Sequence, residues 1–498
     1  MRNALAMVLI LLFSSIAGVS SADSGEENYD FVSNDSIVST YSIAVQMSLK
    51  RAENLDSYTQ SQIESVMEWL VITNMDIDSH QSSMAKPDSS AKAPILHGAY
   101  IWEFVESQRA VEGLRESLAL GEIESFSPLV MKKQQPRFIP DDPDFPAQWH
   151  LRNTGQTGGV SGEDANVTGA WDNYNGSGVV ISVVDDGLDK DHPDIAPHYS
   201  ALLSYDWCND DDDPSPSQWD GHGTAAGGVA AAAGDNDLYV TGAAFGATIA
   251  GSTLIACWAG DQTESEALSY ENDDIDIYTN SWGPSDDGQT LEGPGPLTTA
   301  ALEEDAYGGR EDLGNIITWA AGNGLGSNDN ANYDGYANSR YTIAVTAISH
   351  DGDQSYYAEP GANILVAAHS NGDGEGITTT DITGSGGYNN SGNVTHDFGG
   401  TSSATPLAAG VIALMLEANE NLTWRDVQHI LVNSARKNDA SDTSWELNGA
   451  GHDVSHKYGF GAVDASAAVD LAETWSLVGE EVNLSFNPSI TSTTIPDS

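Results

Sequence analysis

Four continuous apolar runs constrain this chain's fold most strongly: GVVISVVDDG (178–187), IDIYTNSWG (275–283), GNIITWAAGNG (314–324) and YTIAVTAIS (341–349). A strand with one wet face alternates apolar and polar residues. These runs do not alternate, so both faces of each strand must be covered, as in a parallel sheet packed between helices. The clearest helical candidate is ATPLAAGVIALMLEA (404–418). Its Pro406 is expected near the helix start, where a missing N–H costs little. The pattern predicts an α/β doubly wound domain, a parallel sheet with helices on both faces, over residues 138–475. In such sheets, sites form at the carboxyl ends of the strands.

The amino-terminal third reads differently. Arg2, an apolar run over 4–13 and small residues up to Ala22 have the layout of a cleavable secretion signal over residues 1–22. About ten apolar residues are too few to cross a bilayer core of roughly 30 Å. No later segment approaches the length of a span, so export to the outside is expected. Residues 23–137 are polar and uneven, with amphipathic stretches such as AYIWEFVESQRAVEGLRESLAL (99–120), and predict a small separate domain. It ends in MKKQQPRF (131–138), a basic cluster that reads either as a solvated linker or as a cleavage point after Lys133 or Arg137.

The chain carries 74 acidic and 18 basic residues, a formal charge of −56. Such a balance excludes nucleic acid and anionic membrane surfaces as partners. It does not name a substrate, because a solvated acidic shell would produce the same number. The two cysteines, Cys208 and Cys257, suit an oxidising compartment and no zinc motif, and their pairing stays open.

Three short motifs carry chemistry: VVDDG with Asp185, DGHGT with His222, and GGTSSATP with Ser402. Cleaving an amide through an acyl-enzyme needs a hydroxyl, a base to take its proton, a carboxylate to hold that base in one tautomer, and donors for the oxyanion. Asp185 ends a buried strand, His222 opens the small-residue stretch HGTAAGGVAAAA, and Ser402 precedes the apolar helix. A helix N-terminus offers free N–H groups to a developing anion. Asn323, closing WAAGNG, is the second oxyanion donor expected. Taken singly, each motif also reads as a cap, a turn or a helix start.

The order Asp, His, Ser makes the resemblance specific. Across FPAQWHL, VVDDGLDKDHPDI, HGT, SWGPSDDG, AAGNG, DGYANS, GTSSATPLAAGVIALMLEAN, NLTWRDVQHI and HKYGFGAVDA the chain resembles the subtilases, and within them the kexin and furin branch. That resemblance implies a serine endopeptidase acting as a monomer on polypeptides with basic residues. It also implies that residues 23–137 form an α+β propeptide, which chaperones folding, inhibits and is removed in cis. Matching positions imply Asp286 and Asp334 for the P1 pocket, Asp186 and Asp220 for P2, and Glu292 with Glu266 for P4. A charged Lys or Arg is desolvated only against opposite charge, which is why such pockets carry carboxylates.

The resemblance further implies structural Ca²⁺ in three places: Asp206, Asp211 and Asp213; Asp142, Asp194 and Asn236; and Asp286, Asp329 and Glu359. It leaves residues 476–498 as the start of a truncated β-sandwich P domain or a tail. Two other readings stay open. One is a subtilase of broad specificity whose acids serve salt tolerance, the other an inactive acidic calcium-binding protein of the same fold.

Overall fold

The computed structural model describes residues 138–479 and 481–482 and, towards the amino terminus, residues 68–72, 91–92, 99–103, 110–121 and 123–129. The expected signal (1–22), Lys133, Arg137 and residues 483–498 lie outside the described residues. The chain divides into two compact units, Met1–Gln135 and Pro136–Ser498.

The first unit contains strands β1 (Glu68–Ile72), β2 (Ala91–Lys92) and β3 (Ala99–Glu103), helix α1 (Ala110–Ala119) and strand β4 (Ser125–Pro128). The strands form an antiparallel sheet in the order β2-β3-β1-β4. Trp69, Val71, Leu114, Ile123 and Phe126 are buried. The rings of Trp69 and Phe126 meet edge to face at 5.9 Å.

The second unit is built on a seven-stranded sheet of β5 (Val180–Asp185), β6 (Tyr205–Asp206), β7 (Thr248–Thr253), β8 (Ile277–Asn280), β9 (Ile316–Ala320), β10 (Thr342–Ile348) and β11 (Ile364–His369). Every pairing is parallel, in the order β11-β10-β9-β8-β5-β7-β6. A smaller antiparallel pair joins β12 (Ile377–Thr380) to β13 (Val394–Phe398). The longer helices of this unit are α2 (His222–Ala231), α3 (Asp261–Leu268), α4 (Pro296–Asp312), α5 (Thr401–Ala418), α6 (Trp424–Ser434) and α7 (Ala465–Ala472).

The strand residues explain why both faces are covered. Ile181, Val183, Ile277, Ile316, Ile343 and Val345 pack into a core shared with α2, α5, α6 and α7. Their neighbours Val184, Tyr278, Ile317, Trp319 and Ala344 point the other way, into a second core with α3 and α4. Each such buried Val or Ile side chain stabilises the fold by roughly 1.5–3 kcal/mol. This is the two-faced α/β sheet that the unalternating runs predicted.

One detail departs from the sequence expectation. Helix α5 begins at Thr401, so Pro406 lies in its second turn rather than at its start. Pro406 cannot donate to the carbonyl of Ser402, four residues earlier. The Ser281 hydroxyl donates to that carbonyl instead, at 3.0 Å. Helix α5 is also the one described helix long and apolar enough to cross a bilayer. Most of its residues, though not Ser402, are buried in the core of this domain.

Candidate active site

Asp185 is the last residue of β5 and is buried. His222 is the first residue of α2. Its Nδ1 lies 2.8 Å from Asp185 Oδ1, and the same oxygen accepts from the Asp186 N–H at 2.7 Å. The small residues of α2 make this approach possible. A Cβ on Gly223 would come within 2.2 Å of the Gly187 carbonyl and 2.8 Å of Asp185 Cβ. The His222 ring rests edge-on against Phe398 at 5.4 Å, at the end of β13, the strand leading into the nucleophile turn.

Partial burial alone would lower the imidazole pKa. The charge and hydrogen bond of Asp185, then the charge of Asp186, more than offset this and hold it up at about 9. Asp186 itself is pushed up, by burial and then by the charge of Asp185. Its carboxylate accepts the backbone N–H groups of His222 and Gly223 at 3.2 and 2.7 Å, as an acid at a helix N-terminus should.

Ser402 sits in the first turn of α5, after Gly400 at φ +76°, a left-handed conformation that favours glycine. Both polar groups of Gly400 are gripped: its N–H donates to Asn371 Oδ1 at 2.8 Å and its carbonyl accepts from Ser370 Oγ at 2.7 Å. The Ser402 hydroxyl donates to the Ser281 carbonyl at 3.3 Å. Asn323, beyond the end of β9, accepts the Thr401 N–H on Oδ1 at 2.8 Å. That bond turns the amide oxygen towards the first turn of α5. First-turn N–H groups of α5 have no acceptor within the helix. A helix N-terminus and the Asn323 side chain therefore stand beside Ser402.

The acidic positions separate into groups. Asp286, Asp329 and Glu359 converge, with ligand oxygens all within 4.8 Å of one another. Two glycines make room for them. A Cβ on Gly322 would meet Glu359 Oε1 at 2.5 Å, and one on Gly324 would meet Asp329 Cβ at 2.6 Å. Glu359 is pushed up to about 8 by burial and by the charges of Asp286, Asp329 and Asp334. Asp334 stands beside this group, its Oδ2 above Gly283, where a Cβ would come within 2.8 Å. Burial, then the charges of Asp286 and Asp329, push it up to about 6. Three converging carboxylates with a fourth beside them repel one another unless a proton or a cation joins them, and an oxygen-only set is of the kind that suits Ca²⁺.

Asp142 and Asp194 are also buried and meet around Asn236. The Asn236 N–H donates to Asp142 Oδ1 at 3.1 Å and its side-chain amide to Asp194 Oδ1 at 3.2 Å. This is the second set the sequence assigned to a cation, and its carboxylates also accept the N–H groups of Asp235 and Val240. Asp206, Asp211 and Asp213 do not converge in the same way. Both Asp206 oxygens are taken up locally, by the N–H groups of Cys208 and Asn209 and by the Asn209 amide. Asp211 accepts the Asp213 N–H at 3.0 Å. Asp213 accepts from Ser215 and lies 3.4 Å from Lys190 Nζ. Beside this loop, Cys208 and Cys257 form a disulfide, which answers the question the sequence left open.

Of the P4 positions, Glu292 is bridged through its backbone to the segment carrying Asp334. Glu266 accepts from Gln262 on the exposed flank of α3. Glu264, which the sequence did not single out, turns instead to the segment carrying Asp334, accepting the Tyr336 hydroxyl at 2.8 Å. Residues two apart on a helix face different sides, so only an exact helical register could have separated them. Asp220 bonds the Ser217 hydroxyl.

The subtilase family pattern matches residues 176–461. PC3-like endoprotease variant B of Hydra vulgaris is 40% identical over 395 residues, covering 76% of this chain and 54% of that protein. Furin of Homo sapiens is 39% identical over 349 residues, covering 69% of this chain and 42% of furin. The chain thus spans about half the length of the Hydra relative. Among solved structures, a serine protease of Aeromonas sobria in complex with a chaperone superposes with a TM-score of 0.63 at 27% identity, over 71% of this chain and 70% of that one. The chain belongs to the subtilase family, on its subtilisin-like proprotein convertase branch.

Proposed function

We propose that this chain is a secreted, calcium-dependent serine endopeptidase that hydrolyses polypeptides after basic, chiefly paired basic, residues. The observation that carries the reading is the 2.8 Å contact of His222 Nδ1 with Asp185 at the sheet's carboxyl edge, with Ser402 at a helix N-terminus beside the Asn323 amide.

The Ser402 hydroxyl leaves the Ser281 carbonyl and attacks the scissile carbonyl carbon while His222 Nε2 takes its proton. Asp185 stabilises the resulting imidazolium. The oxyanion accepts from the Asn323 NH₂ group and the Ser402 N–H. On collapse the amine departs with the proton from His222. A water then gives its proton to the same nitrogen, attacks the acyl-enzyme and releases the acid.

A P1 Lys or Arg enters between Asp286 and Asp334, whose raised carboxyls gain most from a cation. Asp186 and Asp220 face P2. Glu292 and Glu264 are better placed for P4 than Glu266 is. When bound, Ca²⁺ would be held by Asp286, Asp329 and Glu359 and by Asp142, Asp194 and Asn236, where it neutralises clustered carboxylates. The amino-terminal unit serves as propeptide, folding aid and inhibitor until it is cleaved in cis. Covalent labelling by a fluorophosphonate, lost in Ser402→Ala, is expected. So is much faster turnover of Lys-Arg than of Ala-Phe peptides. Equal turnover of the two would end the specificity claim, and absence of labelling would end the enzymatic one.

A further inference from the structure

We propose that His350, Asp351 and Asp373 form a site for a divalent first-row transition metal such as Zn²⁺, separate from the calcium clusters and from the catalytic centre. The three residues bring one nitrogen and two carboxylate oxygens within 4.8 Å of one another. Asp351 follows His350 in the turn after β10. Asp373 is at the tip of a tight turn, where Gly372 and Glu375 exchange backbone hydrogen bonds. The two turns pack together at Gly372, where a Cβ would come within 2.8 Å of Ser349 Cβ.

The histidine points to a metal rather than to a simple acidic patch. His350 is 5% exposed, and its ring is held on several sides. Trp149 stands edge-on at 5.7 Å, and a Cβ on Gly159 would meet its Cγ at 2.6 Å. Its Nδ1 lies 2.7 Å from Thr157 Oγ1. The other nitrogen, Nε2, is aimed at Asp351 Oδ2, 3.7 Å away. That gap is too long for a hydrogen bond. It is the spacing of two ligands that each bond a common ion at roughly 2.1 Å.

A metal-bound imidazole usually donates its remote N–H to a nearby oxygen, and Thr157 supplies that oxygen. Ca²⁺ prefers all-oxygen cages, whereas imidazole with carboxylates suits zinc, cobalt or manganese. Such a site would also stiffen the nucleophile turn. Asp373 lies two residues beyond Asn371 and three beyond Ser370, and these two hold the N–H and carbonyl of Gly400, two residues before Ser402.

The test is titration of untagged, calcium-saturated full chain with ZnCl₂ by calorimetry, and with CoCl₂ by visible absorption. The wild-type chain should take up a cation equivalent with a Kd on the order of 10 µM or tighter. His350→Gln and Asp373→Asn should each weaken it at least about tenfold, with loss of the cobalt band. His222→Ala should keep both. Asp373 is exposed at its turn tip, so its variant stands by itself if the buried histidine cannot be replaced without unfolding. An uptake that both His350 and Asp373 variants retain, one that disappears in His222→Ala, or no uptake by wild type would overturn the proposal.

Discussion

Two acid-rich regions of this domain solve the same electrostatic problem in different ways. Around Asp286, Asp329, Asp334 and Glu359 the carboxylates face one another while also accepting backbone N–H groups. In the 206–213 loop they face their own backbone: Asp206 accepts from Cys208 and Asn209, and Asp213 from Ser215 and Lys190. A disulfide at Cys208 anchors that loop to Cys257. Carboxylates that meet each other repel unless a cation joins them. Carboxylates that stand apart and meet only N–H, hydroxyl or ammonium groups need none. The first region should therefore depend on calcium and the second on its covalent anchor.

The largest effect is expected from removing that anchor. The two cysteines are separated by 49 residues, and chain entropy alone assigns roughly 4 kcal/mol to closing such a loop. The Cys208→Ser, Cys257→Ser double variant should melt well below wild type but keep its full response to calcium. A calcium response lost together with the disulfide would break the distinction between the two regions.

Next comes chelation. A site saturated about a hundredfold over its Kd contributes roughly 3 kcal/mol, which EGTA should remove. Glu359→Gln should abolish much of the melting shift on calcium addition. Asp213→Asn should leave the shift intact, because Asp213 is already paired with Lys190. Equal loss in both variants would mean that the 206–213 loop rearranges around an ion after all.

Asp334→Asn reaches the same acidic cluster through substrate. It should lower kcat/KM for substrates with P1 Lys or Arg on the order of 10- to 100-fold, and leave cleavage after Phe nearly unchanged. A parallel fall for both substrates would move Asp334 from specificity to structure.

The same contrast sets what could be read from the sequence. Continuous runs such as GVVISVVDDG announce two-faced burial by themselves, and β5, β8, β9 and β10 follow. Strand β7, TIAGST, was not read, because its small residues have no distinctive period. The Asp, His and Ser motifs were legible because each lies at an element boundary that local chemistry fixes. Acidic clusters were not equally legible. Spacing says which carboxylates are near in the chain, and only backbone conformation decides whether each turns to a neighbour's oxygen or to an N–H. Glu264 and Glu266 differ by the helical rotation between them, and the Ser281 hydroxyl that answers Pro406 comes from a distant strand end.

The smallest effect concerns an acid that belongs to neither region and is satisfied by a helix N-terminus. Asp186 raises the His222 pKa through its charge, after the larger influence of Asp185. As a general base His222 works only when neutral, so activity rises as pH climbs through its pKa and is lost as pH falls through it. With that pKa held up at about 9, the acid limb of kcat/KM should lie above the unperturbed histidine value of about 6.5. Asp186→Asn keeps an oxygen for the Gly223 N–H and deletes the charge. The acid limb should then move down by roughly half a unit to one unit, measured on a substrate with an uncharged P2 residue so that subsite binding does not contribute. A limb that stays in place would show that Asp185 alone sets the base.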